Sequence, residues 1–471
     1  MTPLYRLVSF VIFALLACVP ALRADREQND ALNREFQAAI EQYDSGHYAE
    51  AATALEKLLP AVPQSFEVQE LLGLVYSAQQ QEAKASEHLE KAVALKPDSA
   101  AARTNLATNL VRLGKLGAAE EHFRRAVALE PQTFDTNHNL GEFYIQIGKI
   151  AAATPFLEQA QRINPSSYGN GYDLSLAYLQ IGRVGDARRL VHELIKQKDT
   201  AELHNVLGQI EEKDGNFVTA ANEFEAAAHL DPTESNLFDW GSELLLHRTL
   251  DPAIEVFQQA SERYPKSPRL AIGLGMALYS RGNYDAAVKS LLRAADLNPA
   301  DPRCYFFLSK AYDSSPSQAE EVIARFRRFA ELQPKNATAL YYYAMSMWKG
   351  RRTQDAALNV EQIESLLKKA VALDPKLAEA HLQLGNLYSD QGKHAAAIPE
   401  YLLAIEYNPD LADARYRLGQ AYVRTGEKQR AEEQFQIYQR LRAQHLAELD
   451  KQRAEIRQFV YSAKDAPTVK P

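Results

Sequence analysis

Prolines return along this chain at a nearly constant interval, and that interval constrains the fold more than any other feature. Pro63, Pro97, Pro131 and Pro165 stand 34 residues apart, and Pro232, Pro265, Pro299 and Pro334 continue at spacings of 33 to 35. Pro375 and Pro409 are again 34 apart. Each proline closes an Ala-rich phrase. "EHLEKAVALKPDSAAARTNLA", from Glu87 to Ala107, returns as "EHFRRAVALEPQTFDTNHNLG" and later as "SLLKKAVALDPKLAEAHLQLG". A period of this size marks a repeat architecture, in which each unit buries its apolar stripe only against its neighbours.

Other positions recur in register with the prolines. A small residue falls at Gly73, Ala107, Gly141, Gly208, Gly241, Gly275, Gly385 and Gly419, and an aromatic three residues later at Tyr76, Tyr144, Tyr178, Tyr312, Tyr388 and Tyr422. Further small residues recur at positions such as Ala85, Ala119 and Ala153, and Ala92, Ala126 and Ala160. Within each half-repeat, apolar residues at i, i+3, i+4 and i+7 define an amphipathic helix. A mid-repeat glycine (Gly46, Gly114, Gly148, Gly182, Gly215, Gly282, Gly392, Gly426) ends the first helix, where a positive φ costs glycine least. The closing proline cannot continue the second helix and turns the chain into the next repeat.

This pattern resembles the tetratricopeptide repeat, a helix–turn–helix unit of about 34 residues. Twelve repeats run in register from 32–65 to 412–445, so the resemblance covers nearly all of the chain after its first residues. It implies an all-α, right-handed superhelical solenoid of about twelve stacked hairpins. Four repeats depart from the pattern. Repeat five has Asp199 where the proline belongs and Leu194 for an alanine, and repeat seven has Arg248 for the turn glycine. Repeat nine turns through "SPSQAEE", where Ser315 can cap a helix and Pro316 can occupy its first position. Repeat ten carries an insertion around "KGRRTQDAALNVEQ". After repeat twelve the chain lacks Gly and Pro up to its last residues. The reading there is a helical extension over 446–461, with Ile437, Leu441 and Leu449 covering the end of the stack, and a disordered tail over 462–471.

The first residues are of another kind. "MTPLYRLVSFVIFALLACVPALRAD" offers one cation, Arg6, then an uncharged stretch from Leu7 to Val19, a break at Pro20, and small residues at Ala21 and Ala24. That is the layout of a secretory signal peptide over 1–24, too short to span a bilayer comfortably. The expectation is a periplasmic or secreted chain starting near Asp25, with no transmembrane span. "LLAC" also resembles the lipobox of bacterial lipoproteins, which would make Cys18 a lipidated first residue anchored to the envelope. The match is loose, because Leu16 stands where a small residue belongs. Both readings stay open.

Chemistry is hard to find. The eleven histidines form no H-E-x-x-H or H-x-H, and two distant cysteines form no C-x-x-C. Phosphate-binding and nucleophile motifs are missing as well. Carboxylate pairs such as Glu120–Glu121 and Glu211–Glu212 read as solvated helix faces. The expectation is therefore no catalytic residue, no cofactor and no metal ligand. A formal charge of −8, with both signs interspersed, argues against nucleic-acid binding.

In the tetratricopeptide family the first helix of each hairpin lines a concave groove that binds an extended peptide or another protein. Projecting the family's groove positions onto this chain gives an uneven surface. Repeats three and four present Thr104, Asn105, Thr108, Arg112, His138, Asn139, Glu142 and Gln146. Repeats seven to ten present Phe238, Ile272, Met276, Tyr279, Phe306, Phe307, Tyr341, Tyr342, Met345 and Trp348. Apolar residues in slots meant for solvent mark an interaction site, and aromatics and Met concentrate interface energy. The second group is thus the expected partner-binding groove, centred on Phe307, Tyr342, Met345 and Trp348. The reading is a non-enzymatic scaffold outside the cytoplasm. Its alternatives are a structural component of envelope assembly or polysaccharide export, and the non-catalytic subunit of an enzyme complex.

Overall fold

A computed structural model describes residues 21–315, 318–350 and 360–444. Cys18 and most of the signal sequence, Pro316, most of the repeat-ten insertion, Leu449 and the segments 446–461 and 462–471 lie outside the described residues. Among the described residues every regular element is a helix. They form two compact bodies, divided between Gln197 and Lys198. The division falls in repeat five, beside Asp199, where the closing proline is missing.

The first body holds α1 (Ala21–Asp44), α2 (Tyr48–Leu58), α3 (Phe66–Ala78), α4 (Glu82–Leu95), α5 (Ala100–Arg112), α6 (Leu116–Leu129), α7 (Phe134–Gln146), α8 (Ile150–Ile163), α9 (Tyr168–Gln180) and α10 (Val184–Gln197). Each helix packs on the next, and the first helices of successive hairpins also touch, α3 on α5, α5 on α7 and α7 on α9. The second body continues with α11 (Ala201–Lys213), α12 (Phe217–Leu230), α13 (Glu234–Leu246), α14 (Leu250–Arg263), α15 (Pro268–Arg281), α16 (Tyr284–Leu297) and α17 (Pro302–Ser314). It ends with α18 (Ala319–Leu332), α19 (Ala337–Gly350), α20 (Val360–Leu373), α21 (Ala378–Asp390), α22 (His394–Tyr407), α23 (Ala412–Thr425) and a helix over 428–444. There, too, α13 touches α15, α15 touches α17 and α17 touches α19. The helices fall two to a repeat, as the proline register predicts.

Local chemistry sets the ends. The mid-repeat glycines take positive φ, Gly282 reaching 90° at the C-terminus of α15. Arg248, standing in for a glycine, adopts φ 62° in the same place. One or two residues after most closing prolines comes a capping side chain. Ser65, Ser99, Ser167, Thr233 and Ser267 each accept a hydrogen bond from the backbone N–H three residues on, replacing a bond the helix itself cannot make. The small residues permit close approach. A Cβ on Gly275 would lie 2.5 Å from Leu291 Cγ, across the hairpin.

The turn of repeat nine differs from the sequence reading. Ser315 closes α17 rather than opening the next helix, and α18 starts at Ala319 behind Gln318 at φ 59°. A left-handed residue thus does the work expected of a proline-led start. At the C-terminal end, Ile437 and Leu441 are half-buried, and the Tyr438 ring lies tilted against Tyr416 at 5.1 Å.

Candidate partner-binding surface

The two bodies treat their first-helix slots differently. In the first body several of the polar slots are taken up by internal bonds, some of them between repeats. Asn105 donates to Glu70 at 3.1 Å, Arg112 donates to the Ser77 hydroxyl at 2.9 Å, and His138 pairs with Asn170 at 3.1 Å. Thr104 and Thr108 bond the backbone one turn earlier, and Asn139 is buried. The recurring tyrosine adds a latch. Tyr144 donates to Glu120 at 3.0 Å and accepts from Arg124 Nε at 2.8 Å, while Tyr178 donates to Glu158 at 2.8 Å. Burial, with the carboxylate beside it, pushes the Tyr178 phenol up to about 12, so it remains a donor. Glu120 is therefore a structural acceptor and not a free solvated carboxylate. Glu211 is likewise buried and accepts from Asn216 at 2.7 Å, against the reading of Glu211–Glu212 as a solvated face.

In the second body α13, α15, α17 and α19 carry the apolar slots. Phe238 is half-buried, its ring edge-on to Phe257 at 5.9 Å with the Arg269 guanidinium 4.5 Å from its centre. Ile272 is 8% exposed and belongs to the core, so its reading as a solvent-facing slot is corrected. Cys304, Tyr305 and Leu308 of α17 belong to the same buried core. Met276 and Tyr279 lie half-buried against it, with Tyr279 also leaning on Tyr284 at 5.5 Å.

The surface opens on α17 and α19. Phe306 is 45% exposed and meets Phe307 edge-on at 5.0 Å. Tyr341 and Tyr342 follow at 5.7 Å from each other, and Tyr342 leans on Phe326 at 5.8 Å. Met345 is half-buried. Trp348 packs beside a small core of Ala344, Ile363, Leu367, Leu384 and Leu387. Phe306 and Tyr342 share one pocket of about 300 Å³ with Pro302, Arg303, Phe329, Asn336 and Thr338. The sequence reading centred the groove on Phe307, Tyr342, Met345 and Trp348; of these, only Tyr342 lines this pocket.

Neighbouring groups hold this pocket in shape. Asp301 caps α17 and takes two bonds from the Arg303 guanidinium, at 2.9 and 2.7 Å, which hold its carboxyl below the usual range. Tyr305, beneath, is fully buried and stacks on Phe329 at 4.1 Å. Burial, and then the charge of Glu379, raises the Tyr342 phenol, which leaves it a neutral hydroxyl at the rim. Cys304 is no nucleophile: burial pushes its thiol up to about 12, and Sγ donates to the Asp301 carbonyl at 3.1 Å. The result is an apolar floor with a few polar groups at its edge.

Family models described as tetratricopeptide repeat match residues 36–100, 104–168 and 238–302, then 144–210, 366–398 and 413–445. A TPR repeat model matches 385–426. Together they cover more than half of the chain. No curated protein matches. Among solved structures, a tetratricopeptide repeat protein from Parabacteroides merdae is 16% identical over 53% of this chain and 99% of its own, with a TM-score of 0.40. The pilF protein of Pseudomonas aeruginosa is 19% identical over 45% of this chain and 96% of its own, at 0.39. PilW, a type IV pilus biogenesis factor, is 22% identical over 43% and 94%, at 0.38.

Proposed function

Because the chain belongs to the tetratricopeptide repeat family, we propose that it is a non-catalytic scaffold that grips a protein or peptide segment on the α17–α19 surface. The observation that carries this reading is the Phe306–Tyr342 pocket. At about 300 Å³ it is at the low end for small-molecule sites, and it suits one apolar side chain of an extended partner. Phe306 and the rim of Tyr342 give an aromatic anchor point, and Arg303, Asn336 and Thr338 supply hydrogen-bonding groups beside it. Several polar slots of the first body, Asn105, Arg112 and His138 among them, are bonded internally, so they have less to offer a ligand.

The place of action belongs to the proposal as well. Among the described residues no helix is long and apolar enough to cross a membrane. Export rests on the sequence over 1–24, and the N-terminus of the mature protein, read by mass spectrometry, tests it. A start near Asp25 or a lipidated Cys18 supports export, and a retained Met1 on the envelope-associated protein refutes it.

The binding test compares capture of a partner from the native host by the wild-type chain and by Phe306→Ala, Tyr342→Ala and Thr108→Ala. The proposal expects the first two to lose a partner that the third retains, with all melting temperatures close. Equal capture by all four proteins would refute it.

A further inference from the structure

Away from the aromatic surface, three side chains that could bind a cation converge in repeats six and seven. Glu212 lies in the last turn of α11, Glu243 lies in α13, and His247 caps the C-terminus of α13. One ligand atom from each lies within 4.8 Å of the others. Glu243 and His247 are four apart and share a helix face, with His247 Nε2 3.4 Å from Glu243 Oε1. The ring of Phe217 stacks on His247 at 3.8 Å and fixes the imidazole plane.

Glu243 is the telling member. It is 4% exposed, and its Oε1 accepts no hydrogen bond among the described residues. A buried carboxylate without a donor is costly unless it is protonated or coordinates a cation. A neutral imidazole is a common metal ligand, and a cation among the three groups would compensate the buried Glu243 carboxylate.

We infer that Glu212, Glu243 and His247 form a binding site for a divalent transition-metal ion, with Zn²⁺ as the best match. One imidazole nitrogen and two carboxylate oxygens suit Zn²⁺, with water completing the shell. Ca²⁺ and Mg²⁺ prefer all-oxygen sets. An ion held there ties the end of α11 to the end of α13, joining the first helices of successive repeats. Sequence motifs miss the site because two ligands sit at a helical spacing of four and the third is a repeat away.

The test is Zn²⁺ titration of untagged, chelator-stripped full-length chain by calorimetry at neutral pH, with melting temperature as a second readout. The expected result is one tight equivalent per chain and a raised melting temperature. Glu212→Gln and Glu243→Gln should each weaken binding by roughly tenfold or more, at least the effect of losing an outer-shell partner. His204→Gln removes a different histidine–carboxylate contact, to Glu223 at 2.6 Å, and should leave affinity unchanged. If Glu243→Gln does not fold by circular dichroism, Glu212→Gln at its half-buried position decides. No uptake of Zn²⁺, meaning that a proton alone compensates Glu243, overturns the inference. So does uptake that is equal in wild type and Glu212→Gln, or loss confined to His204→Gln.

Discussion

Tyr144 in the first body and Tyr312 in the second occupy the same place in the repeat, and their surroundings could hardly differ more. Tyr144 is held by Arg124 and Glu120, one of several tyrosine–glutamate latches in residues 1–197. The Tyr312 hydroxyl is buried and finds no hydrogen-bond partner among the described residues. The contrast extends to the slots on the first helices. In the first body they are polar and spent on one another, as Asn105–Glu70 and His138–Asn170 show. In the second body one such polar pair recurs, Asn205 donating to Asp239 at 2.9 Å, but on α17 and α19 the slots are aromatic, and Phe306 stands exposed above a pocket. One repeat grammar therefore gives two outcomes: internal polar bonds between repeats in one place, and aromatic surface left exposed at Phe306 in another.

That comparison can be broken most forcefully at the floor of the pocket. Tyr305→Ala removes a fully buried ring stacked on Phe329 and should cost about 3–5 kcal/mol of stability, read as a lowered urea midpoint. A cost below about 1 kcal/mol would mean that the floor is not core. A second effect is pH-dependent. In chelator-stripped protein the Glu243 carboxyl is raised from 4.5 to about 7, so its protonated form favours the fold. That contribution is complete below about pH 4.5 and lost as pH rises through 7, a fall of about 3 kcal/mol. Glu243→Gln should flatten this slope. Parallel pH profiles for the two proteins would show that the burial of Glu243 has no such consequence.

Smaller effects sharpen the contrast. Phe306→Ala should weaken partner binding by about 2 kcal/mol or more while leaving stability within about 0.5 kcal/mol. The reverse pattern would make Phe306 a packing residue. Smallest of all is the paired hydroxyl experiment. Tyr144→Phe should destabilise by about 1 kcal/mol because two charged partners lose their bond, whereas Tyr312→Phe should be neutral or slightly stabilising. Equal costs at the two positions would erase the distinction between the bodies.

Much of the fold was legible because it depends on backbone chemistry that single residues dictate. Closing prolines and turn glycines set the helix pairs, and Arg248 marked a turn even without its glycine. The repeat-nine start was misread because Gln318, an ordinary residue, takes the left-handed conformation there. The candidate surface was legible only as a class of slots. Whether a slot is open depends on the packing of neighbouring repeats: Ile272 belongs to a core that also holds residues of α17, while Phe306 has open space beside it. The Glu212–Glu243–His247 cluster escaped sequence reading for the same reason, since its members meet only once α11 and α13 are packed.

The most direct test of the central claim places a photo-crosslinking phenylalanine analogue at Phe306 in one variant and at Thr108 in another, each expressed in the native host. Both replace first-helix slot residues with the same probe, so differences in reactivity are removed. The account predicts a discrete partner adduct from position 306 and none from position 108. An adduct from position 108 alone would contradict it, and would place the binding face on the polar slots of the first body.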